Sequence, residues 1–301
     1  MNGRSPRLVA ALLGFCWLGG TLQAEEAVEE PGLFGFSGEY LAEETYVGSG
    51  DVHDGGRSVR GFDENDSILR FIFTPRTKIG ILRLGLEWER FGFSVSHTDP
   101  IPNMLQSVGF VIGLDTQLSD SILLRVEAEP GAYNTGVESM SDDFNMPFIA
   151  GGTYIYNPNL QFIAGVSVDI ERKYPVLPAA GVRWKVSRQW VIDAVLPKPQ
   201  IEFEWNRDVT VYVGANVKQT NFRVDENFGD ARGNPRLNHA VLSYSEVRTG
   251  AGLDWKISPV LTLTAEAGYQ PYRSFDFYRA KVRFDQDGGA PYGMISLHGA
   301  F

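Results

Sequence analysis

Cysteine is nearly absent: Cys16 is the only one in 301 residues. One thiol can build neither a disulfide framework nor a thiolate metal site. Histidine is scarce as well, with His53, His97, His239 and His298 as the whole supply, and none stands in a spacing that carries known catalysis. Long hydrophobic runs are missing: the stretch from Leu8 to Leu18 falls well short of the roughly 20 apolar residues that a spanning helix needs. No long segment keeps a 3.6-residue apolar period, so helices do not organise the chain. Positive charge is in deficit, at a net of −10, which disfavours nucleic acid and anionic polymers as partners.

The N-terminus reads as an export signal. Arg4 and Arg7 precede the apolar run, and the small residue Ala24 stands before an acidic stretch, Glu25, Glu26, Glu29 and Glu30. The expected organisation is a signal over 1–24 and one barrel domain over 25–301. Phe15 before Cys16 does not suit lipoprotein cleavage, which wants a small residue there. Removal of the signal leaves no cysteine, which fits passage through an oxidising periplasm.

What is present is period two. Leu82, Leu84, Leu86 and Trp88 alternate with Arg83, Gly85, Glu87 and Glu89, so one face of an extended strand is apolar and the other largely charged. The pattern returns from Phe162 to Ile170, from Ile201 to Trp205, from Val209 to Val217 and from Leu261 to Tyr269. Counting such segments gives fourteen strands, with 12 to 16 open, since a merged or split hairpin changes the count by two. The expected strands run over 33–47, 63–74, 79–96, 105–117, 121–133, 144–156, 160–172, 178–186, 189–196, 200–205, 209–221, 239–257, 260–272 and 291–301.

Connection lengths alternate. Tight turns such as Asn157 to Asn159, Asn206 to Asp208 and Ser258 to Pro259 use favourable turn formers. Longer segments, Gly48 to Phe62, His97 to Met104, Asn134 to Asp143, Phe222 to Asn238 and Arg273 to Ala290, read as loops at the opposite rim. Short turns on one side and long loops on the other are the pattern of a transmembrane antiparallel up-and-down β-barrel, whose apolar face meets lipid. Twelve aromatics near strand ends, Trp88, Phe91, Phe93, Tyr154, Tyr156, Trp184, Trp190, Trp205, Trp255, Tyr269, Tyr272 and Tyr292, are candidates for the interfacial girdles. In the last segment Gly293, Ile295, Leu297, Gly299 and Phe301 share one face. That resembles the terminal signature which outer-membrane barrels present to their assembly machinery, and makes Phe301 the candidate assembly signal. The expected location is the bacterial outer membrane, and the expected partners are the lipid bilayer and that machinery.

Three stretches carry a family likeness: Pro178 to Arg223, with Gly181, the turn after Val186, Leu196 to Pro199 and Val211 to Gly214; Arg248 to Trp255, with Gly250 and Gly252; and Gly268 to Arg273. Together they resemble uncharacterised bacterial outer-membrane barrel families of the domain-of-unknown-function kind. The resemblance implies the barrel and supplies no activity.

Function must then come from the inner face. The lumen-lining candidates are Arg70, Arg83, Glu87, Glu89, Arg125, Glu127, Asp169, Arg183, Lys185, Glu202, Glu204, Lys218, Arg248 and Glu266, joined by Glu129, Glu171 and Glu246. They can pair across the ladder or line a wet passage. The leading expectation is a narrow, porin-like passive pore for small polar solutes, with a surplus of lumenal acid favouring cations. The rivals are a structural or adhesive barrel acting through outer loops such as Phe222 to Asn238, and a barrel hydrolase using His97. The reading leans away from an enzyme, and no catalytic residue, metal or cofactor is assigned. Calcium in the acidic loops, through Asp63, Glu64 and Asp66 or through Asp285 and Asp287, is disfavoured, because it takes about six to eight oxygens.

Overall fold

Alternating apolar and polar residues can bury one face only by pairing edge to edge, and a sheet that closes on itself leaves no edge exposed. The computed structural model describes residues 37–136 and 143–301. The expected signal over 1–24 with Cys16, the first residues of the first expected strand and part of the Asn134 to Asp143 loop lie outside the described residues.

Fourteen antiparallel strands close into a barrel. They are β1 (Gly38–His53), β2 (Ser58–Phe73), β3 (Gly80–Phe93), β4 (Met104–Ser119), β5 (Ile122–Ala128, continuing as Gly131–Asn134), β6 (Phe144–Asn145 and Phe148–Asn157) and β7 (Leu160–Val168). Then follow β8 (Val176–Lys185), β9 (Trp190–Val195), β10 (Gln200–Glu204), β11 (Val209–Arg223), β12 (Val241–Ser258), β13 (Leu261–Phe277) and β14 (Val282–Asp287 and Ala290–Ala300). Every expected strand has a counterpart. The seam runs in unbroken register from Glu39 opposite Ala300 to Val47 opposite Tyr292. At its end Gly38 and Phe301 exchange two backbone hydrogen bonds of 2.8 and 2.9 Å. The Phe301 ring lies between Tyr40 and Phe71, with centroids 6.3 and 6.2 Å away.

Two expected loops are strands instead. Gly48 to Phe62 is a β1–β2 hairpin turned by Asp54, whose carboxylate accepts from the N–H groups of Gly56 and Arg57 at 2.9 and 2.6 Å. Arg273 to Ala290 continues β13 to Phe277 and returns as Val282–Asp287. Their Gly and Asp residues suggest loops, but Val52, Val59, Phe275, Phe277 and Phe284 are buried against one another, and that burial keeps the chain extended. Glu64 and Asp66, weighed above as calcium ligands of an acidic loop region, stand within β2, inside the expected 63–74 strand.

The outer face is apolar. Phe110 is 61% exposed and Leu86 56%, with Leu69, Phe71, Leu84 and Ile112 beside them, an area that water would penalise and lipid would not. Trp184, Trp190, Trp205 and Trp255 ring the rim that carries the tight turns. Phe91, Phe93 and Tyr292 do not belong to a girdle; they are buried inside, because the parity of their strands points them inward. Higher up, the outer face turns polar along one register row: Glu44, Ser67, Arg90 and Gln106. β1, β2, β12 and β13, of 16 to 18 residues, project beyond this row, whereas β9 and β10 have only six and five residues.

Above the apolar belt the tube narrows. The end of β5 meets the end of β11 directly, Asn134 beside Arg223, and Thr135 Oγ1 donates to Asp225 Oδ1 at 2.9 Å. This contact bypasses β6 to β10 and leaves the projecting strands as a smaller tube.

Candidate functional site

The interior divides into layers, and strand parity decides what each layer contains. Along β2, the residues Phe62, Glu64, Asp66, Ile68 and Arg70 share the inward face, so aromatic, acidic and basic side chains stack down one wall.

The uppermost layer is aromatic. Phe62, Phe91, Phe93, Tyr133, Phe222, Tyr244, Phe275, Phe277 and Phe284 fill the narrowed tube, joined by Val224, Phe228 and Leu237 from the β11–β12 connection. Phe91 and Tyr244 lie 4.8 Å apart and Phe93 and Phe275 5.1 Å, centroid to centroid, distances at which tilted rings attract. The connection is pinned from outside: Arg232 stacks 3.7 Å from the Phe228 ring, and its Nε donates to the Asp99 carbonyl at 2.6 Å.

Directly below lies an ionic layer. Arg273 Nη1 is 2.8 Å from Glu64 Oε2, and Arg248 Nη2 is 2.9 Å from Asp66 Oδ2 and 2.8 Å from Glu246 Oε1. Lys218 Nζ sits 2.9 Å from Asp66 Oδ2 and also pairs with Glu89. β2 is not a sheet neighbour of β11, β12 or β13, so these contacts cross the interior. The layer is sealed: Arg273 and Glu64 have no exposed side-chain surface. It is also tied to the rings above, with Lys218 4.4 Å from the Phe91 centroid and Arg273 4.2 Å from that of Phe62, both cation–π distances.

The lower half is charged as well, closed on one wall and more open on the other. On one wall Arg70 pairs with Glu127 at 2.7 Å, Glu87 at 3.2 Å and Glu129 at 3.2 Å; Arg83 pairs with Glu127 and Glu39 at 2.8 Å each, and Arg125 with Asp115 at 2.5 Å. On the opposite wall Arg183 pairs with Asp193 and, at 3.2 Å, with Glu202, while Lys185 meets Glu204 at 2.7 Å. The Arg183 and Lys185 side chains keep 28% and 35% of their surface, so the interior has free space at this height. Asp169, the residue after β7, ties β7 to β6 and β11: its oxygens accept from Asn145 Nδ2 at 3.0 Å and Asn221 Nδ2 at 2.5 Å. Glu171 pairs with Arg223 and Arg279 at 2.7 Å each in the outer loops.

Glu266 is placed differently from the other candidates. It accepts from Tyr212 at 2.5 Å and Tyr292 at 2.6 Å and, among the described residues, forms no ion pair. Both rings lie flat against the wall, over glycines: a Cβ on Gly252 would stand 2.3 Å from Tyr212 Cζ, and one on Gly250 2.4 Å from the Tyr292 hydroxyl. His97, the residue of the hydrolase reading, is exposed on the β3–β4 loop.

Several interior residues escape sequence reading. Glu64 and Asp66 sit in phase with Arg70, a signal masked by the nearby glycines. Arg273 follows a bulge in β13, where Val247 faces Tyr272 but Thr249 faces Tyr269, and the extra residue reverses the parity. Lys198 comes from a short connection that has no period at all.

A closed antiparallel barrel, apolar outside and charged inside, has the architecture of a membrane-spanning β-barrel. This chain belongs to the family described as a domain of unknown function, DUF6268, whose model matches residues 76–287. No curated protein matches it in sequence. Among solved structures it is similar to the COG4313 outer membrane channel from Pseudomonas putida F1, at 7% identity and a TM-score of 0.47, covering 88% of this chain and 96% of that one. It is similar also to the P. putida toluene transporter TodX, at 10% identity and 0.44, covering 88% and 90%, and to a Pseudomonas aeruginosa FadL homologue, at 9% and 0.42, covering 88% and 89%. What this barrel does has to be read from its own interior.

Proposed function

We propose that the chain is a bacterial outer-membrane channel that passes small polar solutes, with cations favoured, through a narrow lumen whose outer end is a closed gate. In this reading it is exported, handed to the assembly machinery through Phe301, and set in lipid by its apolar belt. One observation carries the proposal: interior charge is spread over two levels of different openness. The lower level keeps part-exposed charged side chains, as a wet passage requires, while the upper level pairs every charge it uses and is capped by aromatic rings. A purely structural barrel has no need of an open charged half, and the outer connection that would serve adhesion has its apolar residues committed to the cap.

Conductance of the refolded protein in planar bilayers tests this. The wild type should conduct weakly and prefer cations, and a variant lacking 226–237 should conduct several-fold more. A variant that assembles as a barrel, lacks the cap and still does not conduct would overturn the channel.

A further inference from the structure

The eight interior cations Arg70, Arg83, Arg125, Arg183, Lys185, Lys218, Arg248 and Arg273 each lie within 4.0 Å of a carboxylate. Lys198 does not. It enters from the β9–β10 connection, with Nζ 5.9 Å from the Tyr212 centroid, and among the described residues it forms no ion pair. It is close enough to act electrostatically on Glu43, Asp254 and His298. Among the described residues Glu43 and Asp254 have no ion-pair partner either; Asp254 accepts from Thr264 at 2.7 Å.

Glu43 and Asp254 stand on one register row. Glu43 on β1 faces Ser296 on β14, Ser296 faces Thr264 on β13, and Thr264 faces Asp254 on β12. One row of the wall therefore carries two uncommitted carboxylates and two hydroxyls. Glu266, with its two phenols, lies one inward position above. Tyr212 and Tyr292 lie against Gly252 and Gly250; Lys198 and Glu43 keep part of their surface, while Asp254, Thr264 and Ser296 are buried.

We propose that this row and Lys198 form a binding site for a small zwitterionic solute, one carrying both a carboxylate and an ammonium group; the inference rests on the channel reading above. Lys198 receives the carboxylate, and Glu43 and Asp254 receive the ammonium. The geometry selects this chemistry over a single charge. A lone anion leaves the carboxylates uncompensated and a lone cation leaves Lys198 so, and a charge removed from water without a partner is costly. The Lys198 to Glu43 separation exceeds ion-pair contact, so a ligand can stand between the two. Sequence reading reaches none of Lys198, Glu43 and Asp254.

The test is calorimetric titration of the refolded full-length barrel in nanodiscs with glycine, acetate and methylammonium as probes. Glycine should bind at least about tenfold more tightly than either singly charged probe, the margin of one charge-assisted hydrogen bond. Lys198→Gln and Glu43→Gln should each lose about that factor, and Lys198→Arg should keep most of the affinity. Heat-modifiable gel mobility confirms that each variant is a folded barrel. Equal binding of the three probes, or full glycine affinity in folded Lys198→Gln, overturns the site. Planar-bilayer conductance is read separately: conductance without glycine selectivity removes the site and leaves the channel, whereas selective binding without conductance removes the channel and leaves the site.

Discussion

Glu64 and Arg273 meet 2.8 Å apart across the barrel, on strands that are not neighbours, with no solvent on either side chain. Removing one partner of such a pair strands a buried charge, at about 3–5 kcal/mol, while replacing both with apolar residues can be close to neutral. Glu64→Gln should therefore lower the unfolding midpoint in denaturant, and the double variant Glu64→Leu, Arg273→Met should recover most of the loss. A single variant as stable as the double would contradict the cross-barrel pair.

Phe275 lies at the centre of the cap and is fully buried. Phe275→Ala should cost about 3–5 kcal/mol of cap stability by leaving a cavity. The barrel below is expected to survive, so amide exchange should accelerate in Val282–Asp287 and the end of β13 and stay slow in β3 and β4. Uniform acceleration would mean that the cap and barrel unfold together.

The flat tyrosines depend on glycine. Gly252→Val should push Tyr212 off the wall into the lumen, because even a Cβ would stand 2.3 Å from Cζ. The expected results are a lower single-channel current in the variant lacking 226–237 and a weakened bond to Glu266. An unchanged current would show that the ring has somewhere else to go.

Phe301 closes the seam between Tyr40 and Phe71. Phe301→Ala should reduce the yield of assembled barrel in cells while barrels that do form keep their heat-modifiable mobility. A normal yield would argue that the assembly machinery does not read this ring.

At the β1–β2 hairpin tip, burial alone would raise the Asp54 carboxyl, but the N–H groups of Gly56 and Arg57 and the Arg57 guanidinium outweigh it and hold it below its usual value. A depressed folded value stabilises the turn above the unfolded pKa, and that contribution disappears as pH falls through the folded one. The Gly56 and Arg57 amides should keep their protection near neutrality and lose it below about pH 4. Protection in Asp54→Asn that already matches the acid state at pH 7 would agree; no change at either pH would not.

The strand count was legible because parity is a local property: Leu82 to Trp88 declares its two faces without any partner. The same local rule placed Arg70, Arg83, Glu127 and Lys218 on the charged face. Parity cannot say how far in a side chain ends or what it meets there. Lys218 and Lys185 look alike in sequence, yet the first is sealed beneath Phe91 and the second faces open space. Turn composition misled at Gly48 to Phe62, where small residues line a hairpin whose inward positions are packed. Lys198 was invisible because its place depends on where a four-residue connection folds, which no period records.

The row Glu44, Ser67, Arg90 and Gln106 ends the apolar belt at about the height where Glu64 and Asp66 begin the ionic layer. The aromatic cap thus stands at and above that row, on Phe91, Phe93, Tyr133 and Phe222 as well as on the projecting hairpins. In the channel reading, a rearrangement that unstacks it would be expected to leave the rim of tryptophans at the far end undisturbed. The aromatic cap and the apolar belt are built from different stretches of the same strands.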